Sequence, residues 1–181
     1  KFWYGIVAKI GFKKALIVAR SVQAREFISK YCKNVSDTII DHGVNIEKFT
    51  PCREKDNQFA ISSQLISRKH IEKSIEAFAK YLNKYDDSAK LYIMGDGDEK
   101  ENLRKLAKDL GADKNIIFTG KLGHNKLIEI LKKSIAMLVY TEKDNNMVSI
   151  VESIALATPV ITTDIPYNAS YIKAEKLGIV N

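Results

Sequence analysis

From Phe59 to the end of the chain, short apolar runs and amphipathic stretches alternate without a break. Phe59-Ala60-Ile61-Ser62, Lys90 to Met94, Asn115 to Phe118, Ile135 to Tyr140 and Val160 to Thr163 read as strands. The segments between them carry apolar residues at spacings of three and four. In His70 to Tyr85 these are Ile71, Ile75, Phe78, Ala79 and Leu82, and in Glu99 to Leu110 they are Leu103, Leu106, Ala107 and Leu110, with Gly111 ending the helix. Further helices are expected over His124 to Ser134, around Glu152, and over Ala169 to Lys176, the last leading into Gly178-Ile179-Val180. Strands that alternate with helices at this spacing form parallel βαβ units with right-handed crossovers. Strands apolar on both faces belong to a sheet covered by helices on both sides. The expected class is α/β, a Rossmann-like doubly wound parallel sheet.

The first part of the chain repeats the theme less regularly. Ala15 to Ala19 reads as a strand, Ser21 as the cap of a helix through Phe27, Ile28 and Tyr31, and Thr38-Ile39-Ile40 as a second strand. The pattern then breaks at His42 to Pro51, followed by the polar CREKDNQ, which marks a junction between domains. The chain opens on Lys1 and closes on an apolar run, so a portion of a longer protein is expected.

Composition narrows the function classes. No apolar run is long enough to span a bilayer, and no secretory signal is visible. Cys32 and Cys52 form neither a disulfide framework nor a metal motif, and the expected setting is a reducing cytoplasm. The N-x-S sequons at Asn34 and Asn168 carry little weight in such a setting. The net charge is +7, with most of the excess in the first fifty residues. A basic segment holding Lys1, Lys9, Lys13 and Lys14 suits peripheral contact with the inner face of a membrane, but a solvated basic face is the preferred reading. The excess lacks a base-stacking pattern, so nucleic acid is not an expected partner.

In a doubly wound sheet, ligands bind at the carboxyl ends of the strands. That directs attention to residues near 63–69, 95–98, 120–124, 141–149 and 164–168. Gly95-Asp96-Gly97-Asp98 resembles a dinucleotide loop only superficially. Lys100 stands where a third glycine is needed, and Asp96, Asp98 and Glu99 would repel a pyrophosphate. A tight turn with acidic capping is expected there. Arg68 and Lys69 put two cations ahead of a helix. Gly120-Lys121-Leu122-Gly123 allows close approach of the main chain to a flat base, and His124 reads as a helix-start residue. The most specific stretch is Asp144 to Ile161. Asp144-Asn145-Asn146 makes a polar loop, and the N–H groups of Met147, Val148 and Ser149 are expected to be free at a helix start, where they can bind a diphosphate. Glu152, about one turn further in, can accept two hydrogen bonds from a ribose diol, while Asp144 can take sugar hydroxyls or act as a helix cap.

These segments together resemble the retaining, two-Rossmann-domain (GT-B) glycosyltransferases of family 4, the glycosyl transferases group 1. HGVNIEKFTP is similar to the family's junction, SSQLISRKHIEKSIEAF to its "GRL…KG…lieAf" segment, and LYIMGDGDEKENLRKLA to "l.i.G.G…..L..la". NIIFTGKL matches "nV.F.G.v", and DNNMVSIVESIALATPVITTD the glutamate-x7-glutamate element. The resemblance covers roughly residues 15–181. It implies that residues 1–45 are the end of an acceptor-side domain, 46–57 a junction, and 58–181 a donor-binding domain lacking its last helices.

The resemblance also implies the roles. Lys69 would neutralise the donor diphosphate, Glu152 would bind the donor ribose, and Asp144 would contact the transferred sugar. Main-chain N–H groups of Val148 and Ser149 would hold phosphate, and the Leu122 main chain would meet the base. Chemistry would be retaining, with no metal and no cofactor beyond the nucleotide-sugar donor, and with a glycan, lipid-linked or protein acceptor. Three positions depart from the family pattern. Gln64 replaces an arginine, leaving Arg68 to supply the missing charge. Asp144 is one methylene shorter than the usual glutamate. Met147 replaces a glycine and would narrow the pocket. The alternatives are a degenerate, non-catalytic binding module and a nucleotide-sugar epimerase on the same fold.

Overall fold

A computed structural model describes residues 10–12, 14–142, 144 and 147–181. Lys1 to Lys9 and Lys13, which hold most of the basic segment, and Asn145 and Asn146 of the polar loop lie outside the described residues. The chain divides into two compact units, one ending at Gly43 and the other beginning at Val44.

In the first unit, β1 (Ile17–Ala19) and β2 (Val35–Ile39) pair in parallel around α1 (Val22–Ser29). Ser21 caps α1 as expected: its Oγ accepts from the Ala24 N–H at 3.1 Å, and the residue is fully buried. β2 begins three residues earlier than the apolar Thr38-Ile39-Ile40 run suggests. The register, Ile17 opposite Val35 and Ala19 opposite Ile39, is set by pairing with β1 rather than by local hydrophobicity.

The second unit holds a six-stranded sheet. Its strands are β3 (Gln58–Ser62), β4 (Lys90–Met94), β5 (Ile116–Gly120), β6 (Ala136–Val139), β7 (Val160–Thr162) and β8 (Gly178–Val180). The helices are α2 (Ile71–Lys84), α3 (Lys100–Asp109), α4 (His124–Lys133), α5 (Val148–Ala155) and α6 (Asn168–Ala174). The strand order is β5-β4-β3-β6-β7-β8, all parallel, so the Rossmann-like class read from the alternation is the observed one. The chain runs outward from β3 to β5, then returns to the other side of β3 as β6. The crossovers therefore diverge between β3 and β6, and that is the topological switch point where such sheets open a ligand crevice.

The sheet has an apolar cluster on each face. Ile61, Leu91 and Ile93 pack against Ile71, Ile75 and Phe78 of α2 and Leu103 and Ala107 of α3. On the other face, Ala60, Met137 and Val160 pack against Ile128 and Leu131 of α4, Ile150 of α5 and Ile172 of α6. Each fully buried large side chain here contributes about 1.5–3 kcal/mol relative to exposure. Lys55, in the segment leading to β3, donates to the Lys132 carbonyl at 3.0 Å and to Thr158 Oγ1 at 2.9 Å. Burial holds its ammonium pKa below the usual lysine range.

β5 runs to Gly120, two residues past the apolar run, because the Gly120 carbonyl accepts from the Gly95 N–H at 3.0 Å. Among the described residues, no helix is long and apolar enough to cross a membrane.

Candidate functional site

The switch point brings two loops together at the carboxyl edge of the sheet. The loop after β3 leads through a 3-10 turn (Ser67–Lys69) to His70, which adopts a left-handed conformation (φ 44°) before α2. The loop after β6 carries Thr141, Glu142, Asp144 and Met147 into α5. Lys69 Nζ lies 2.6 Å from Asp144 Oδ2, and Arg68 Nη1 lies 3.5 Å from Asp144 Oδ1. The Lys69 and Asp144 side chains are only 12% and 15% exposed, whereas Arg68 is half exposed. The Lys69 pair is thus the well-formed one, with charge assistance in a sheltered setting.

Asp144 is also held from beneath. Thr141, fully buried, donates from Oγ1 to Asp144 Oδ2 at 2.9 Å, and its carbonyl accepts from Thr163 Oγ1 at 2.9 Å. His70 adds a second tie between the loops, with Nδ1 2.8 Å from Glu72 and Nε2 3.2 Å from Glu142. A narrow crevice adjoins Lys69, lined also by Ser62, Ser63, Tyr140 and Met147 among others.

Two local expectations need correction. The Met147 N–H is not free: it donates to Asn168 Oδ1 at 2.6 Å, and Asn168 is fully buried with its Nδ2 donating to the Tyr171 hydroxyl at 2.7 Å. Asp144 does not cap α5 either, since the cap position is Met147, whose own side chain makes no cap bond. Among the described residues nothing accepts from the N–H groups of Val148 and Ser149, so the helix start still offers two donors and its dipole.

A third correction concerns Gly95-Asp96-Gly97-Asp98. Glu99, at the cap position of α3, makes no side-chain cap bond. Asp96 instead accepts from the Gly97 N–H at 3.0 Å and from Lys100 at 3.1 Å, and the Lys100 bond, with that N–H, holds its carboxyl below the usual range. The glycines serve packing. Gly95 and Gly97 have φ of 153° and 156°, and a Cβ would stand 1.8 Å from the Ser63 carbonyl oxygen or 2.3 Å from that of Leu65. The Leu65 N–H donates to the Asp96 carbonyl at 3.0 Å and the Glu99 N–H to the Leu65 carbonyl at 3.0 Å. These glycines let one edge loop support the loop that presents Arg68 and Lys69.

Lys69 and Arg68 thus both meet Asp144. Gln64 is exposed, Met147 is buried in the second cluster and lines the crevice, and Leu122 is half-buried against that cluster. Val148 is exposed and Ser149 half-buried at the start of α5. Glu152 projects from α5 with its side chain 14% exposed, and His124 Nε2 stands 2.9 Å from its Oε1. His124 does start α4, but its side chain does more than begin a helix. Sequence reasoning missed that contact, the Thr141 bond and the Asn168 bond. The first and last join residues 28 and 21 positions apart, which no local motif connects.

The family model described as glycosyl transferases group 1 matches residues 45–181. The chain belongs to the glycosyl transferases group 1 family. It is similar to alpha-monoglucosyldiacylglycerol synthase of Streptococcus pneumoniae, 27% identical over 178 residues, covering 90% of this chain and 40% of the relative. Its fold matches solved structures of GT-B glycosyltransferases. A mutant of S. aureus TarM in complex with fondaparinux, alpha-GlcNAc-glycerol and UDP superposes with a TM-score of 0.81 at 19% identity, over 99% of this chain and 36% of that one. The pneumococcal O-GlcNAc transferase GtfA in complex with UDP and GlcNAc gives 0.74 at 18% identity, over 92% of this chain and 33% of that one. The chain spans well under half the length of each of these relatives.

Proposed function

We propose that the second unit is the donor-binding part of a nucleotide-sugar-dependent, retaining glycosyltransferase of family 4 that acts on a glycan, lipid-linked or protein acceptor. The observation that carries this reading is the Lys69–Asp144 contact across the switch point, beside the start of α5. On this reading Lys69, helped by Arg68, neutralises the donor diphosphate, with Arg68 standing in for the charge that Gln64 lacks. The Val148 and Ser149 N–H groups hold phosphate oxygens, the Leu122 main chain meets the base, Glu152 takes the ribose diol and Asp144 the sugar hydroxyls. The UDP in the two related crystal structures makes a uridine nucleotide the first donor to try.

Transfer breaks the bond between the anomeric carbon and the phosphate oxygen and forms one to the acceptor hydroxyl oxygen, whose proton leaves with the nucleoside diphosphate. The residues named here act on the leaving group, whose growing negative charge meets Lys69, Arg68 and the helix N–H groups without a metal. The first unit is then the end of an acceptor-side domain. The proposed setting is the cytoplasm, at the inner face of the membrane where the acceptor is lipid-linked.

Calorimetric titration of the full protein with UDP, GDP and ADP tests the reading. Binding of at least one is expected, weakened by Lys69→Ala and by Glu152→Ala. No binding of any nucleoside diphosphate would end it. The Met147 side chain in the crevice favours a second reading, a binding module without transferase activity. Tight nucleotide binding with no transfer or donor hydrolysis in a nucleotide-sugar panel would support that alternative.

A further inference from the structure

His124 is the first residue of α4 and stands at the end of the loop that contains Leu122. Its Nε2 is 2.9 Å from Glu152 Oε1, and it is the one side-chain partner recorded for Glu152 among the described residues. An ionised carboxylate only accepts hydrogen bonds, so this contact places the proton on Nε2. The ring is itself oriented: Phe49, 5% exposed and part of the second apolar cluster, meets it edge-on with centroids 6.0 Å apart. A line of contacts thus runs from the core through Phe49 and His124 to one oxygen of a largely sheltered carboxylate. The other oxygen, Oε2, has no recorded partner among the described residues.

We infer that His124 is a positioning residue, which holds the Glu152 carboxylate so that Oε2 faces the ribose diol of the donor nucleotide. The inference rests on the donor-binding reading above. A glutamate at the surface of a helix loses rotamer freedom when it grips a diol, and a partner that has already fixed it removes part of that cost. His124 acts through Glu152, so its contribution should depend on the hydroxyls that Glu152 grips.

The test is a pair of titrations on the full protein, with the tightest-binding of UDP, GDP and ADP and with its 2′,3′-dideoxy counterpart. His124→Phe keeps a ring beside Phe49 and removes the N–H donor. It should weaken the ribonucleotide by about tenfold and leave the dideoxynucleotide unchanged. His124→Gln, which restores a donor, should recover most of the loss. Equal losses for both nucleotides, no loss for the ribonucleotide, or no recovery with Gln would overturn the proposal. Glu152→Ala, run in parallel, separates two failures. If it leaves ribonucleotide binding intact, or if none of the three nucleotides binds, the ribose assignment itself fails and His124 falls with it. If it weakens binding while His124→Phe does not, only the positioning role fails.

Discussion

Lys69 Nζ and Asp144 Oδ2 are 2.6 Å apart, on loops that follow neighbouring strands of opposite crossover direction. The cation assigned to the diphosphate already has an anion. On the proposed reading, an incoming phosphate competes with the Asp144 carboxylate, which accepts from Thr141.

Asp144→Asn should therefore separate binding from transfer. It keeps a group able to accept from Thr141 but removes the charge that competes for Lys69 and Arg68. Nucleoside diphosphate affinity is expected to rise by about threefold to tenfold, equivalent to roughly 0.7–1.4 kcal/mol, while sugar transfer falls. Calorimetry and a transfer assay on the full protein check this. Weaker binding of the bare nucleotide in Asp144→Asn would contradict it.

Thr162 buries a hydroxyl that has no hydrogen-bond partner among the described residues, with the residue 2% exposed. Its neighbours in register are Val139 on β6 and Val180 on β8. Thr162→Val replaces the hydroxyl by a methyl of similar size in a row of valines. The expected result is a gain of about 1 kcal/mol from relief of desolvation, read as a higher denaturant midpoint with an unchanged slope. A loss of stability would show that the hydroxyl has a role in the fold.

Gly97→Ala should be costly although the substitution is small. The added Cβ would meet the Leu65 carbonyl at 2.3 Å in a backbone conformation that suits glycine. A loss of about 2–4 kcal/mol is expected. The displaced loop also carries Arg68 and Lys69, so nucleotide affinity should fall with it. A melting curve and a titration of the same sample measure both effects, and an unchanged melting temperature would refute the packing argument.

Acid should act on Asp86. The Ser88 hydroxyl, the Asn57 amide and the Ser88 N–H all donate to its carboxylate, at 2.7, 2.9 and 2.9 Å, and hold its pKa below the usual aspartate range. A folded-state pKa below the unfolded value means stability that is present above the unfolded pKa and lost as pH falls through the folded one. Wild type should exceed Asp86→Asn in melting temperature near pH 7, and the gap should close below about pH 4. A gap that stays constant from pH 7 to pH 3 would exclude this linkage.

The alternation of apolar runs with amphipathic helices made the Rossmann-like class readable, because each strand needed two apolar faces and each helix one. Ser21 was legible as a cap because capping is a local geometry. Lys69 and Asp144 were legible as candidates through family-like segments and their positions after strands. Their contact was not, since it depends on β6 returning beside β3. The His124–Glu152 and Asn168–Met147 contacts join residues 28 and 21 positions apart, and neither side has a sequence pattern that names the other. Gly95 and Gly97 looked like part of an acidic turn. Their purpose is visible only when the Ser63 and Leu65 carbonyls are seen pressed against them.

The two apolar clusters have a consequence for how the site endures. Lys69 leads into α2, which is rooted in the cluster on one face, and Asp144 leads through Met147 into α5, rooted in the cluster on the other. Partial unfolding tends to release contiguous cooperative groups rather than single residues. Loss of either group would part Lys69 from Asp144 while the opposite face stays folded. The lifetime of the intact site is then set by the weaker cluster. Amide exchange would show this as two protection classes, with the Lys69–Asp144 contact breaking at the opening rate of the less protected one.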